Sequence, residues 1–400
     1  MLTLDRIYNA SLLLKDIARK TDLLLSTGLA ADFDLFLKAE NLQTTGSFKI
    51  RGSFYKIAQL SKEEKAKGVI ACSAGNHAQG VALAAHKNNI KSTIFLPGNA
   101  PISKVEATRR YGAQIKLVDG VFDDAYDAAV KYQKETGAIF VHPFDDENII
   151  AGQGTIGLEI LEQLPDVDAV IVPIGGGGLI SGIAYAVKNL KPNCKIYGVQ
   201  ATGAASMLKS IDYHKRSPLQ SVSTIADGIA IKYPGEMTYE LCSKYVDQFA
   251  SVSEDEIAMA ILSLMEKQKI VAEGAGAVSV AAAMFNKFPL KGKKVCAVIS
   301  GGNIDVNILS RVINRALAAY GRLTSITVEL LDKPGRLKDV LAIIAKKGAN
   351  VIEVEHNRQG DYANIIRTCI NISMETKNHQ HLADIKKALT DKGYILLDNC

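Results

Sequence analysis

The 400-residue sequence contains no tryptophan, and aromatic residues make up only 6% of it. Charge of either sign is also modest, with 47 basic residues against 42 acidic ones and a formal balance of +5. The bases are scattered and form no stripe with aromatics between them, so a nucleic-acid partner is not expected. The six cysteines, Cys72, Cys194, Cys242, Cys296, Cys369 and Cys400, lie far apart. No CxxC pair and no Cys/His cluster exists, so neither a metal site nor a redox motif is expected. Cys296 in VCAVIS reads as a core thiol in a reducing compartment. The opening MLTLDRIYNASLLLKD has no basic stretch ahead of an apolar run, and a cytoplasmic chain is expected. No run of about 18 uncharged apolar residues occurs, so no membrane span is expected. What remains is 48% hydrophobic and 22% charged residues, the mix of a globular protein, which excludes a disordered, collagen-like or coiled-coil chain.

At roughly 150 residues per domain, the length suggests two or three domains. Short apolar runs (VIACSAG, STIFLP, QIKLVDG, AIFVHPF, DAVIVPIGGGG, KIYGVQ, KVCAVISGG) read as buried strands. Helical stretches separate them at His77–Lys87, Ser103–Tyr111, Asp123–Thr136, Ile156–Gln163 and Leu179–Leu190. This alternation predicts an α/β body with parallel sheets covered on both faces. Ligands in such sheets bind beyond the C-terminal strand ends, where the glycine-rich segments fall. After Ala318–Gly321 the pattern becomes strand, helix, strand, strand, helix, strand, a ferredoxin-like βαββαβ unit. A domain boundary is therefore expected near residue 320, giving units 1–320 and 321–400.

Four segments carry the chemistry. Gly175, Gly176, Gly177 and Gly178 join a strand to the helix opening at Leu179. Several amides and a helix N-terminus can converge there on one anion. No GK[ST] follows, GxGxxG fails at Ile180, and the next strand ends in Gln200 rather than a carboxylate. A phosphomonoester therefore fits better than a nucleotide. In QTTGSFKIRGS, Lys49 stands between Phe48 and Ile50. An amine in an apolar pocket has a lowered pKa and can form a Schiff base, although an ordinary solvated lysine is as compatible with that context. SAGNHAQG places Ser73, Ala74, Gly75 and Asn76 at a strand-to-helix junction able to bind a carboxylate, with His77 as a structural residue of the helix start. SGGN puts Ser300 at a strand end, although serine and glycine are common in turns. An amine, a phosphate cup, a carboxylate loop and a lone hydroxyl together suit pyridoxal 5'-phosphate.

QTTGSFKIRGS, SAGNHAQG, AGQGTIGLEI, VPIGGGGL, TIADG, VAEGAGA and ISGGN, in this order, resemble the fold-type II pyridoxal-phosphate family. They are most similar to the threonine dehydratases (threonine ammonia-lyases). The tail, with its DKPG turn, resembles an ACT regulatory domain. The resemblance implies two parallel-sheet lobes, the smaller at about residues 50–145. It implies Lys49 as Schiff-base lysine and Cα base, Phe48 against the pyridine, and Asn76 on the ring hydroxyl. Gly175 to Leu179 would hold the phosphate, Ser300 would meet the pyridine nitrogen, and Ser73 to His77 would hold the substrate carboxylate. A hydroxyl cannot keep the pyridine nitrogen protonated as a carboxylate would, which suits β-elimination.

The implied reaction is deamination of L-threonine to 2-oxobutanoate and ammonia, with L-serine as a further substrate. Serine racemase or serine dehydratase of the same fold is the nearest alternative. Racemases of the family carry a serine where this chain has Ala74, which cannot transfer a proton. A non-catalytic amino-acid sensor is a more distant alternative, disfavoured by the intact lysine. Some relatives hold a divalent ion through an acid ahead of ADG, which Ser223–Gly228 lacks. The ACT resemblance implies a homodimer or homotetramer. It also implies an amino-acid effector, isoleucine or valine in an isoleucine-forming route, near Gly335 and Asn350, Val351, Ile352 and Glu353.

Overall fold

The computed structural model describes residues 2–100, 102–357 and 366–397. It divides into two compact units, Met1–Val306 and Asn307–Cys400.

The first unit contains two sheets. The larger has six strands in the order Leu23–Leu25, Asp34–Ala39, Lys294–Ile299, Ala169–Pro173, Lys195–Ala201, Gln248–Val252. Only the pairing of Leu23–Leu25 with its neighbour is antiparallel. The smaller sheet is parallel throughout, in the order Gln114–Val118, Ser92–Pro97, Val69–Cys72, Ile139–Phe140. The central strands VIAC and AVIVP are buried along their whole length, as strands covered on both faces must be.

QIKLV, expected as a buried strand, lies instead at a sheet edge, with Leu117 56% exposed. An edge strand is covered less than a central one, and the run of apolar residues alone cannot tell the two apart. The strands Leu23–Leu25, Asp34–Ala39 and Gln248–Val252 were not anticipated from the pattern.

The helix expected at Ile156 begins nine residues earlier and spans Glu147–Gln163. Its N-cap Asp146 accepts from the amides of Asn148 and Ile149, the usual satisfaction of a helix start. The AGQG stretch in this helix is a packing surface. A Cβ on Gly154 would lie 3.0 Å from the carbonyl oxygen of Gly182, and one on Gly182 would lie 2.6 Å from the Gly154 nitrogen. Glycine at both positions lets this helix approach Gly178–Leu190 backbone to backbone.

In the second unit, strands and helices alternate as expected: Leu323–Leu331, Arg336–Lys346, Asn350–Asn357, Arg367–Glu375, His379–Thr390, Ile395–Leu397. The strands form an antiparallel sheet with the first and third at its centre. Val328, Ile344, Ile370 and Ile385 are fully buried in its core. The helix Val306–Ala319 precedes the sheet. Nε2 of His379 lies 2.9 Å from the carbonyl oxygen of Ala319, and the Thr376 amide donates to that of Arg322. The first of these bonds ties the helix end to the second unit, which begins at Asn307. Among the described residues no helix is long and apolar enough to cross a membrane. The five described cysteines are buried free thiols, and Cys400 lies outside the described residues.

Candidate active site

Beyond the C-terminal strand ends of the first unit lies a cavity of about 610 Å³. Phe48, Lys49, Ser73, Ala74, Gly75, Asn76, His77, Gly175, Gly176, Gly177, Gly178, Leu179 and Ser300 all line it. Segments up to 250 residues apart in the chain therefore meet at one place.

Lys49 is the first residue of the helix Lys49–Ala58. The loop before it is strapped to the SGGN segment. The Phe48 amide donates to the carbonyl oxygen of Ser300 over 3.1 Å, and the Gly302 amide to that of Gly46 over 2.9 Å. Ser300 is itself buried at the end of strand Lys294–Ile299. The Lys49 amine reaches into the cavity and donates to the carbonyl oxygen of Pro143 over 2.8 Å. Burial pushes it down to about 8, only partly offset by the negative field of Glu273.

The glycine run opens the helix Gly178–Leu190, with Gly177 at the N-cap and φ of 98°. The first amides of a helix have no partner within it, so they face the cavity as donors. Sequence reasoning credited all four glycines to anion binding, but packing requires them too. A Cβ on Gly176 would sit 2.3 Å from ring atoms of Phe144, and one on Gly177 would lie 2.7 Å from Thr238.

Asn76 is the first residue of the helix Asn76–Lys87. Ahead of it, the Ser73 hydroxyl accepts from the Gly75 amide over 3.1 Å. Nε2 of His77 lies 2.8 Å from the carbonyl oxygen of Val141, and burial with the nearby Lys49 charge pushes the imidazole down to about 3. A ring so held stays neutral near pH 7.

A model of pyridoxal-phosphate dependent enzymes matches residues 14–301. The chain belongs to that family. An ACT-domain model matches residues 324–390. L-threonine ammonia-lyase of Thermotoga maritima is 51% identical, over 98% of each chain. Among solved structures, processed threonine deaminase isoform 2 of Solanum lycopersicum superimposes with a TM-score of 0.75 at 38% identity, over 78% of this chain and 93% of that one. Maize serine racemase also gives 0.75 at 36% identity, over 80% and 99%.

The cavity suits the cofactor of the family. It offers a depressed amine for the aldehyde and a helix N-terminus for the phosphate. His77 Nδ1 and Gln153 Oε1, both on its wall, are buried with no hydrogen-bond partner in the protein. Unmatched polar atoms at that position fit a polar guest.

Several lining residues escaped sequence reasoning: Glu273, Asn303, Lys104, Asp227 and Phe144. Glu273 is buried, and desolvation together with the Asp227 charge pushes its carboxyl up to about 7, against the hydrogen bond from Asn76. Asp227, the acid of TIADG, pairs with Lys104, and both line the cavity. Both acids stood in quoted motifs, so the signal available was an acid beside glycine in VAEGAGA and in TIADG.

The residues expected near an effector lie in the second unit. Gly335 caps the start of the 11-residue helix Arg336–Lys346, while Asn350 follows the helix's other end. A helix of that length spans about 16 Å. The strand register breaks between Val351 and Glu353, leaving Ile352 as the extra, exposed residue.

Proposed function

We propose that this protein deaminates L-threonine to 2-oxobutanoate and ammonia by β-elimination, and acts on L-serine in the same way. The observation that carries the reading is Lys49, a buried amine with a depressed pKa in a cavity that the glycine-rich helix N-terminus also lines. The high identity to an L-threonine ammonia-lyase over nearly the full chain supports it.

Bound pyridoxal phosphate supplies the electron sink that makes a substrate Cα proton removable. The amides of Gly175 to Leu179 would hold its phosphate, Phe48 would lie beside its ring, and the Ser300 hydroxyl would serve its pyridine nitrogen. The turn from Ser73 to His77 holds the substrate carboxylate through main-chain donors. The Lys49 amine, a useful fraction of which burial keeps neutral near pH 7, would take the Cα proton of the substrate. Loss of that proton and the β-hydroxyl as water would leave an enamine, which takes up water to give the 2-oxo acid and ammonia.

The racemase alternative needs a second proton carrier on the opposite face, where Ala74 offers only a methyl group. The second unit would regulate turnover by binding a branched-chain amino acid near Gly335 and Asn350–Glu353. Gly335 and Asn350 stand beyond opposite ends of the helix Arg336–Lys346, which favours a homodimer or homotetramer with the effector between copies.

The test is a steady-state assay with L-threonine and L-serine, with and without isoleucine and valine. The purified protein should carry a visible absorption band, lost in Lys49→Ala, and should release 2-oxobutanoate. A protein that keeps the band yet releases none would sink the reading. A chain ending at residue 321 should keep turnover and lose any response to the effector.

A further inference from the structure

Three side chains on the cavity wall form one directed chain of hydrogen bonds. Nδ2 of Asn303 donates to the carbonyl oxygen of Thr45 over 2.7 Å and to Oδ1 of Asn76 over 2.8 Å. Nδ2 of Asn76 in turn donates to Oε1 of Glu273 over 2.7 Å. Glu273 is buried, and Asn76 and Asn303 are partly so.

An isolated amide can present either its oxygen or its nitrogen. Here the ends of the chain remove the choice. A main-chain carbonyl only accepts, so Asn303 must turn its nitrogen toward Thr45. The second N–H of that nitrogen then goes to Asn76, which must answer with its oxygen. The nitrogen of Asn76 is left facing Glu273. An ionised carboxylate can only accept, and a protonated one still keeps a carbonyl oxygen that accepts. The direction of the chain is therefore the same in both protonation states of Glu273. Nδ2 of Asn76 carries two N–H bonds, and Glu273 takes one of them.

We propose that Asn303 and Glu273 are positioning residues that lock Asn76 as a hydrogen-bond donor, so that the site selects a ligand oxygen bearing negative charge. This rests on the reading that Asn76 meets the ring oxygen of pyridoxal phosphate. An oxygen held by a donor is stabilised as the anion, and a flipped amide would offer it a repelling lone pair instead. Neither residue was singled out by its segment of sequence, and neither needs to touch the reacting atoms.

The test compares Glu273→Gln, which keeps an acceptor oxygen without charge, with Glu273→Met, which fills similar space with none. Asn303→Leu attacks the chain from the other end. The holoenzyme of each is followed by its visible band, recording the rate of cofactor release on dilution and the pH midpoint of the band. Glu273→Met and Asn303→Leu should release cofactor about tenfold faster or more, the scale of one charge-assisted hydrogen bond. Their band midpoints should also shift upward, Glu273→Met relative to Glu273→Gln, which lacks the same charge, and Asn303→Leu relative to wild type. Glu273→Gln should stay within about threefold of wild type, since its oxygen can take over the same bond. A general loosening of the fold would speed release without moving the midpoint. Unchanged midpoints in both Met and Leu variants would overturn the proposal, as would a Gln variant as impaired as Met. Should one variant fail to fold, the other carries the test alone. A wild-type protein with no visible band would instead overturn the cofactor reading itself.

Discussion

Lys49 Nζ donates to the carbonyl oxygen of Pro143 over 2.8 Å. A carbonyl accepts a hydrogen bond but does not hold a proton on an amine as a carboxylate would. Glu273 is close enough to pull the amine upward, and burial outweighs it. The arrangement keeps the nucleophile anchored without making it strongly basic.

The first prediction concerns pH. With an amine near 8 rather than the ordinary 10.5, cofactor-free protein should capture pyridoxal phosphate at a rate that rises with pH, with its midpoint near 8. Return of the visible band after mixing measures this, and a midpoint near 10.5 would contradict it. The stability effect has a definite sign. Between these two values the unfolded chain binds more protons than the folded one, so this group makes cofactor-free protein more stable as pH rises across that window.

Gly176→Ala should damage the protein for a reason of packing as well as of anion binding. The new methyl would lie 2.3 Å from the Phe144 ring. Overpacking of this kind costs about 1–3 kcal/mol. Urea denaturation should show that loss in Gly176→Ala, and Phe144→Leu added to it should recover part. No loss in the single variant would mean that the ring moves freely.

Below the cavity, a buried cluster holds the helix that starts at Lys49. Arg51 donates to both oxygens of Glu40 and to Glu159, and Lys38 donates to Glu159 over 2.6 Å. Arg51, Lys38 and Glu40 are essentially inaccessible, and two positive charges face two negative ones. Arg51→Met should cost about 3–5 kcal/mol, because it strands an acid in the interior. Arg51→Met with Glu40→Leu leaves the Lys38–Glu159 pair intact and should cost less than the two single changes added. Thermal denaturation of the four proteins forms the cycle, and strict additivity would refute the coupling.

Ala74→Ser should raise the yield of D-serine from L-serine, because it puts a hydroxyl able to carry a proton on the cavity wall that Lys49 also lines. Chiral chromatography of the reaction mixture measures it. An unchanged trace of D-serine would show that this position does not carry the second-face proton.

Much of the architecture was legible in the sequence because it is periodic or local. Continuous apolar runs ending in glycine marked the central strands, and the change of pattern after Gly321 marked the antiparallel unit. The edge position of Gln114–Val118 was not legible, since an apolar run does not say how many neighbours a strand has. Nor was the start of Glu147–Gln163, whose glycines serve close helix packing. In the site, Lys49, the glycine run and Asn76 announced themselves by odd local context. Glu273 and Asn303 did not, although both stood in motifs already noticed.

By itself the sequence determined the α/β body, the antiparallel tail, the likeness to a pyridoxal-phosphate family and the residues with unusual neighbours. Only the tertiary structure decided which groups act together. It set Lys49 against Pro143, placed Phe144 over Gly176, and joined Asn76 to Glu273 and Asn303 across 197 and 227 residues. Secondary structure repeats along the chain and leaves a periodic trace. A hydrogen bond between distant side chains leaves none, because its geometry exists only once the strands and helices have packed.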